Sequence, residues 1–184
     1  MNYYIVSNDG SRKRVFLFPR EEQKMFGFNK KKKTLELVSP INGKMIPIQD
    51  VPDKVFASEM MGPSVAFISV DGKVYSPCDG DLVTVFPTKH ALGIKAQNGA
   101  ELLLHFGIDT IQLEGKGFTL IKEAGQKIKK GDLLLEVDVP FLKDSGYKIE
   151  MPMILTNSDD FNVNVNVCSN VSANQEIVML IDKK

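Results

Sequence analysis

The sequence predicts an all-β fold: an antiparallel β-sandwich, barrel-like in its closure, with one or two very short helical turns. Three observations carry that expectation. From Thr34 onward, short apolar runs alternate with Gly, Pro, Asn and Asp at intervals near ten residues, the spacing of strands joined by tight turns. A phrase S-P-x-[ND]-G occurs twice, as Ser39-Pro40-Ile41-Asn42-Gly43 and Ser76-Pro77-Cys78-Asp79-Gly80, each time followed by an apolar strand. Two copies are too few for a solenoid, which needs at least about three, so they read as a duplicated strand–turn–strand unit. Finally, Phe161 to Val167 alternates apolar residues with asparagine, the pattern of a half-exposed strand.

In chain order, residues 1–33 stand apart. Ser11-Arg12-Lys13-Arg14 and the run Lys30 to Lys33 are basic, and no strand or helix period persists. A flexible basic segment is expected there, preceding a β-domain over 34–184. Met25-Phe26-Gly27-Phe28 beside four lysines also suits weak contact of residues 25–33 with an anionic membrane surface. Within the domain, Pro52 to Met61 is the only helix-like piece. Leu102 to Leu104 is an apolar strand, and Leu133 to Val137 is another, reached through the turn-rich stretch Glu123 to Asp132. The last strand, Ile177 to Ile181, follows Asn174-Gln175 in a similar way.

Composition narrows the function classes. The 184 residues suffice for one domain with a real core, and 43% apolar and 25% charged residues describe an ordinary globular chain. A formal net charge of zero argues against general nucleic-acid binding, which needs a basic excess to neutralise phosphates. No apolar run approaches the roughly 18–20 residues that span a bilayer. Cys78 and Cys168 form no spacing motif and read as reduced thiols in a cytoplasmic protein.

The chemistry-bearing stretch is Phe86 to Thr110, which holds the only two histidines, His90 and His105, on either side of Asn98-Gly99. Asn-Gly between apolar runs predicts a two-residue hairpin loop of type I′. That register sets His105 opposite Leu92 and His90 opposite Gly107, so the two imidazoles become diagonal neighbours on one face, with Cβ atoms about 7–8 Å apart. A three-residue loop would undo this parity. Two unrelated histidines, one of them a satisfied core residue, is the other reading. A pair without a third strong ligand, an H-E-x-x-H or a C-x-x-C supports a zinc site poorly, and no G-x-S-x-G supports a serine hydrolase. Covalent use of the pair remains, because a neutral imidazole is a competent nucleophile towards phosphorus. No metal and no cofactor are expected, since neither a carboxylate cluster nor a Gly-rich phosphate loop accompanies the pair. Gly107 reads either as a turn glycine or as room for the backbone beside the site.

The string Leu102-Leu103-Leu104-His105-Phe106-Gly107-Ile108-Asp109-Thr110, with Thr88-Lys89-His90 upstream, resembles the glucose-type enzyme IIA of the bacterial phosphoenolpyruvate-dependent sugar phosphotransferase system. The likeness runs from about Leu35 to Ile181. It implies that His105 is the phosphorylated residue, attacking through Nε2. His90 would hydrogen-bond the phosphoryl oxygens in the transition state, and Thr88 would orient the His90 ring. It further implies an apolar docking rim at Val55, Phe56, Met60, Met61, Phe86, Leu103 and Ile111, with core packing as the alternative for Leu103 and Ile111. The spacing of Phe56, Met60 and Met61 puts them on one side of a helical segment. Asp53 and Asp109 match acidic positions suited to an arginine on the incoming donor. A short leader precedes the domain in that family, which leaves Met1 or Met25 as the start. The chain departs from the family at Gly62-Pro63-Ser64, where Gly-Asp-Gly is usual, and this bears on the shape of that loop.

The resemblance thus implies a cytoplasmic phosphocarrier, transiently at the inner face of the membrane. It would accept a phosphoryl group from the histidine-containing phosphocarrier protein HPr and donate it to the IIB domain of a sugar transporter. A regulatory binding module controlled by its phosphorylation state is an alternative. A metal-dependent hydrolase of related fold is disfavoured, because zinc peptidases of the lysostaphin type need more histidines than this chain has.

Overall fold

Short β-prone runs punctuated by turn residues give fourteen strands and two short helices in a computed structural model that describes residues 34–184. The basic segment 1–33, with its Met25 to Lys33 stretch, lies outside the described residues. The strands are β1 (Leu35–Val38), β2 (Gly43–Ile46), β3 (Ser64–Ser69), β4 (Lys73–Tyr75), β5 (Gly80–Val85), β6 (Ala91–Ala96) and β7 (Glu101–His105). They continue as β8 (Phe118–Leu120), β9 (Lys127–Ile128), β10 (Leu133–Val137), β11 (Glu150–Leu155), β12 (Phe161–Val165), β13 (Asn170–Val171) and β14 (Ile177–Lys183). All pair antiparallel, in one large sheet of order β13-β2-β3-β11-β7-β6-β5-β9 and two small ones, β1-β14-β12 and β4-β10-β8. The sheets stay open and pack as a sandwich, with no closed barrel.

The duplication reaches further than the repeated phrase. The large sheet reads the same from either end: β13, β2, β3 and β11 correspond to β9, β5, β6 and β7, and the two halves meet where β11 pairs with β7. The small sheets correspond likewise, β1-β14-β12 to β4-β10-β8. One half is a single run of chain from β4 to β10, set between β3 and β11 of the other.

The repeated phrase lies where the halves interlock. Ser39 and Ser76 are fully buried, and their hydroxyls donate to the carbonyls of Ile41 and Cys78 at 2.8 and 2.7 Å. Each copy then bonds the other: Val38 N–H donates to Pro77 O at 3.1 Å, and Tyr75 N–H to Pro40 O at 2.8 Å. The fourth residue holds a distant loop in each half, Asn42 Oδ1 accepting from Ala173 N–H and Asp79 Oδ1 from Lys130 N–H, both at 2.9 Å. The glycine that follows opens a strand where the Ile68 or Lys95 carbonyl of the neighbouring strand leaves no room for a Cβ.

One core lies between the sheets, with Leu37, Phe67, Ile94, Leu104, Met153 and Ile181 all essentially inaccessible. Burying each such side chain stabilises the fold by roughly 1.5–3 kcal/mol. A smaller cluster of Ile48, Val51, Ala66 and Ile108, joined by Ile46 and Phe56, fixes the long β2–β3 connection. That connection contains helix α1 (Lys54–Ala57), one turn and so shorter than the expected Pro52 to Met61. Glu59 at φ 53° ends the helical run, so helix periodicity does not reach Met60 and Met61. A second helix, α2 (Val139–Asp144), was not expected from the sequence. Its signal was there: Asp138 accepts the Phe141 N–H at 3.0 Å as N-cap, and Pro140 sits in the first turn.

Candidate functional site

Asn98 and Gly99 do mark the β6–β7 turn, but the loop has three residues. Ala96 N–H donates to Ala100 O at 2.8 Å, Gly99 N–H to Ala96 O at 2.9 Å, and only Gly99, at φ 91°, is left-handed. This is the three-residue hairpin with a left-handed closing glycine, not the type I′ turn expected. The register shifts by one, with Ala91 opposite His105 and Leu92 opposite Leu104, so pleat alternation no longer brings the histidines to one face.

The rings meet all the same, with centroids 4.8 Å apart and planes at 77°. His90 achieves this because it stands just before β6, off the regular pleat. Lys89 takes φ 58°, its N–H donates to Phe86 O at 2.7 Å, and Phe86 N–H donates to Ala91 O at 3.0 Å. The turned backbone swings the His90 ring towards His105, while His90 O accepts the Phe106 N–H at 2.7 Å.

His90 is 4% exposed, and its Nδ1 lies 2.5 Å from Thr88 Oγ1. Burial holds its pKa below the ordinary value. His105 is half-buried at the end of β7. Its pKa is pushed down to about 4, first by burial and then by the His90 ring, against opposing pulls from the Gly107 backbone and the Asp53 carboxylate. His105 Nδ1 is enclosed and makes no well-formed hydrogen bond. Both imidazoles are therefore neutral at pH 7. Gly107, at φ 77°, fits because a Cβ there would lie 2.5 Å from Thr110 Cγ2 and 2.8 Å from Lys148 O.

Two aromatic rings extend the pair. Phe56 lies 5.0 Å from His105, and Phe86 lies 5.6 Å from His90 edge-on, so four rings stand in a row, Phe56–His105–His90–Phe86. Of the other rim candidates, Val55 (47%), Met60 (78%), Met61 (39%) and Ile111 (57%) are exposed, which removes the core alternative for Ile111. Leu103 is half-buried, two residues before His105 on the same strand face. Asp109 takes φ 59° and its side chain caps nothing, whereas Asp53 Oδ1 accepts the Val55 and Phe56 N–H groups at 2.8 and 3.1 Å. Sequence reasoning placed Asp53 only by resemblance. An Asp directly before a short apolar turn was also a legible N-cap signal.

Gly62-Pro63-Ser64 is well tied down. Leu155 N–H donates to Pro63 O at 3.0 Å, and Glu59 Oε1 accepts the Ser64 N–H at 3.1 Å. Among the described residues, no group of three or more His, Cys, Asp or Glu is arranged to hold a metal, and no helix is long and apolar enough to cross a membrane.

Residues 35–161 match the family described as phosphoenolpyruvate-dependent sugar phosphotransferase system, EIIA 1. The chain is 45% identical over 138 residues to the glucose-specific EIIA component of Staphylococcus epidermidis, covering 74% of this chain and 83% of that one. It is 41% identical over 150 residues to the glucose-specific EIICBA component of Staphylococcus saprophyticus, covering 82% of this chain but spanning only 22% of that longer protein. Among solved structures, glucose permease IIA from Mycoplasma capricolum is similar with a TM-score of 0.76 and 34% identity, over 85% of this chain and 99% of that one. With a family match over most of its length and a shared sandwich fold, the chain belongs to the EIIA 1 family of the phosphoenolpyruvate-dependent sugar phosphotransferase system, as a phosphocarrier component of that system.

Proposed function

We propose that the chain carries the phosphoryl group on His105 Nε2, taking it from phospho-HPr and passing it to a cysteine of the IIB domain of a sugar transporter at the inner face of the membrane. The observation that carries this reading is the contact of two neutral, largely buried imidazoles at 4.8 Å, one of them anchored through Nδ1 by Thr88. In the first step the lone pair of Nε2 forms an N–P bond as the N–P bond of the donor breaks, and the donor imidazole leaves with that electron pair. In the second, a cysteine thiolate forms an S–P bond and His105 regains its lone pair. With the Thr88 hydroxyl donating to His90 Nδ1, His90 carries its proton on Nε2 and can donate it to a phosphoryl oxygen. Little covalent work is left for other groups, so positioning and charge stabilisation dominate. The exposed Val55, Met60, Met61, Phe86 and Ile111 offer an apolar rim to both partners, and Asp109 offers charge to a basic donor.

The test is to mix the chain with HPr, enzyme I and phosphoenolpyruvate and to map the phosphate. An acid-labile, alkali-stable adduct on His105 is expected. A phosphate on a serine or threonine hydroxyl, or no labelling, would end this reading.

A further inference from the structure

The row of four rings has a feature that a docking rim alone does not explain. Phe56 is only half-buried, yet it contacts His105 and not solvent alone, and it comes from a one-turn helix too short to be stable by itself. What fixes that turn is Asp53. Its Oδ1 accepts the Val55 N–H at 2.8 Å and the Phe56 N–H at 3.1 Å, and Ala57 N–H donates to Asp53 O at 2.9 Å. Beneath the turn, Phe56 joins the Ile48, Val51, Ala66 and Ile108 cluster, so the ring is held from below as well.

We propose that Asp53 and Phe56 are positioning residues for His105: the Asp53 carboxylate caps α1, and the capped turn holds the Phe56 ring against the imidazole. This rests on the phosphocarrier reading for its consequence in transfer, but not for its geometry. Phe56 limits rotation of the His105 ring and shields it from water, while His90 contacts the same ring from its own turn. Asp53 then acts chiefly through the backbone of α1, and only secondarily as a charge facing a donor. The titratable neighbours that act on His105 are His90, from the β5–β6 turn, and Asp53, from α1.

The two roles of Asp53 separate cleanly by substitution, because asparagine caps a helix about as well as aspartate and alanine does not. Both Asp53→Asn and Asp53→Ala remove the charge, and that loss by itself lowers the His105 titration midpoint, since the carboxylate raises it. Only Asp53→Ala also frees the turn, letting water reach the ring and moving the midpoint up. We therefore expect histidine-ring NMR titrations of the full, unphosphorylated chain to show a higher midpoint in Asp53→Ala than in Asp53→Asn. Phe56→Ala should move it from about 4 towards the ordinary 6.5, with Phe56→Leu between. In transfer from phospho-HPr both variants lose the charge, and Asp53→Ala should be about fivefold slower than Asp53→Asn, the worth of one lost cap.

The Asp53 pair decides the matter even if a Phe56 variant folds poorly. Asp53→Asn and Asp53→Ala indistinguishable in both midpoint and rate would overturn the proposal, as would an unmoved midpoint in a folded Phe56→Ala. A chain that accepts no phosphate from phospho-HPr would instead defeat the phosphocarrier reading, and the titrations would still decide whether Asp53 and Phe56 hold the ring.

Discussion

The two halves of the molecule share a strand plan and differ, beside the histidine pair, in the connection that leads into β3 and β6. Between β2 and β3 the chain takes residues 47–63, with α1 and its apolar side chains; between β5 and β6 it takes only Phe86 to His90. Both connections contribute to the histidine pair, the long one by laying Phe56 on His105 and the short one by turning His90 into place. Repetition supplied the scaffold, and the chemistry lies where the repetition fails. The register makes this concrete. Lys95 faces Glu101 in one half as Ile68 faces Glu150 in the other, so the position equivalent to His105 is Ile154. Ile154 is buried and apolar.

The largest effect should come from exchanging chemistry at these equivalent positions. His105→Ala is expected to abolish phosphoryl labelling in the HPr-dependent assay while the fold persists. Ile154→Val should leave transfer unchanged and cost about 0.5–1.5 kcal/mol in denaturant unfolding, the usual worth of one buried methylene. Labelling that survives His105→Ala would show that the comparison singles out the wrong histidine.

Next comes the short connection. His90→Ala should slow transfer by about 10²–10³, the typical loss for one donor aimed at developing charge, yet leave His105 phosphorylatable. Rapid-quench kinetics in both directions would read this, and unchanged rates would mean that the two rings do not cooperate.

A smaller effect follows from pH. His105 titrates near 4 in the folded chain against an ordinary 6.5, so the unfolded chain binds the extra proton between those values. Stability then rises with pH across that window, and is lost as pH falls from 6.5 towards about 4. His90, also held low by burial, adds in the same direction. Urea midpoints measured against pH should slope in this sense, and His105→Gln should flatten the slope. An unaltered slope would place the acid sensitivity elsewhere.

The smallest concerns Lys89, whose φ of 58° is uncommon for a lysine and better suited to asparagine. Lys89→Asn should raise stability by no more than about 1 kcal/mol and leave the His90 turn intact. A loss of stability would mean that the lysine side chain contributes more to this turn than its backbone strain costs.

Much of the fold was legible because turn residues are local signals. The S-P-x-[ND]-G copies, the strand Leu133–Val137 and the alternation after Phe161 all lie where the pattern put them. What escaped was backbone geometry within loops that the residue types alone do not fix. Asn-Gly marks a hairpin without fixing its length, and here Asn98 Oδ1 accepts the Ala100 N–H at 3.0 Å, a bond suited to the three-residue form. The expected route to the histidine contact was therefore wrong although the contact exists, because Lys89 supplies a turn that no period announces. Likewise Phe56, Met60 and Met61 carry a helical spacing, but the helix stops at Ala57, and Gly62 is pressed against the Leu155 carbonyl. The resemblance named the site residues, whereas the Asp53 cap and the Phe56 contact came only from the geometry.

The first and last strands of the described domain run side by side, with Leu35 opposite Ile181 and Val38 opposite Ile177. The domain therefore has its doorway and its exit on the same threshold. A tether leaving from either end departs from the same side of the domain. The same body can then travel alone or hang as a pendant from a longer polypeptide. Splicing Lys184 to Thr34 and reopening the chain at the exposed Gln97, in the β6–β7 turn, should, by the same reasoning, leave every strand with the neighbours it has now.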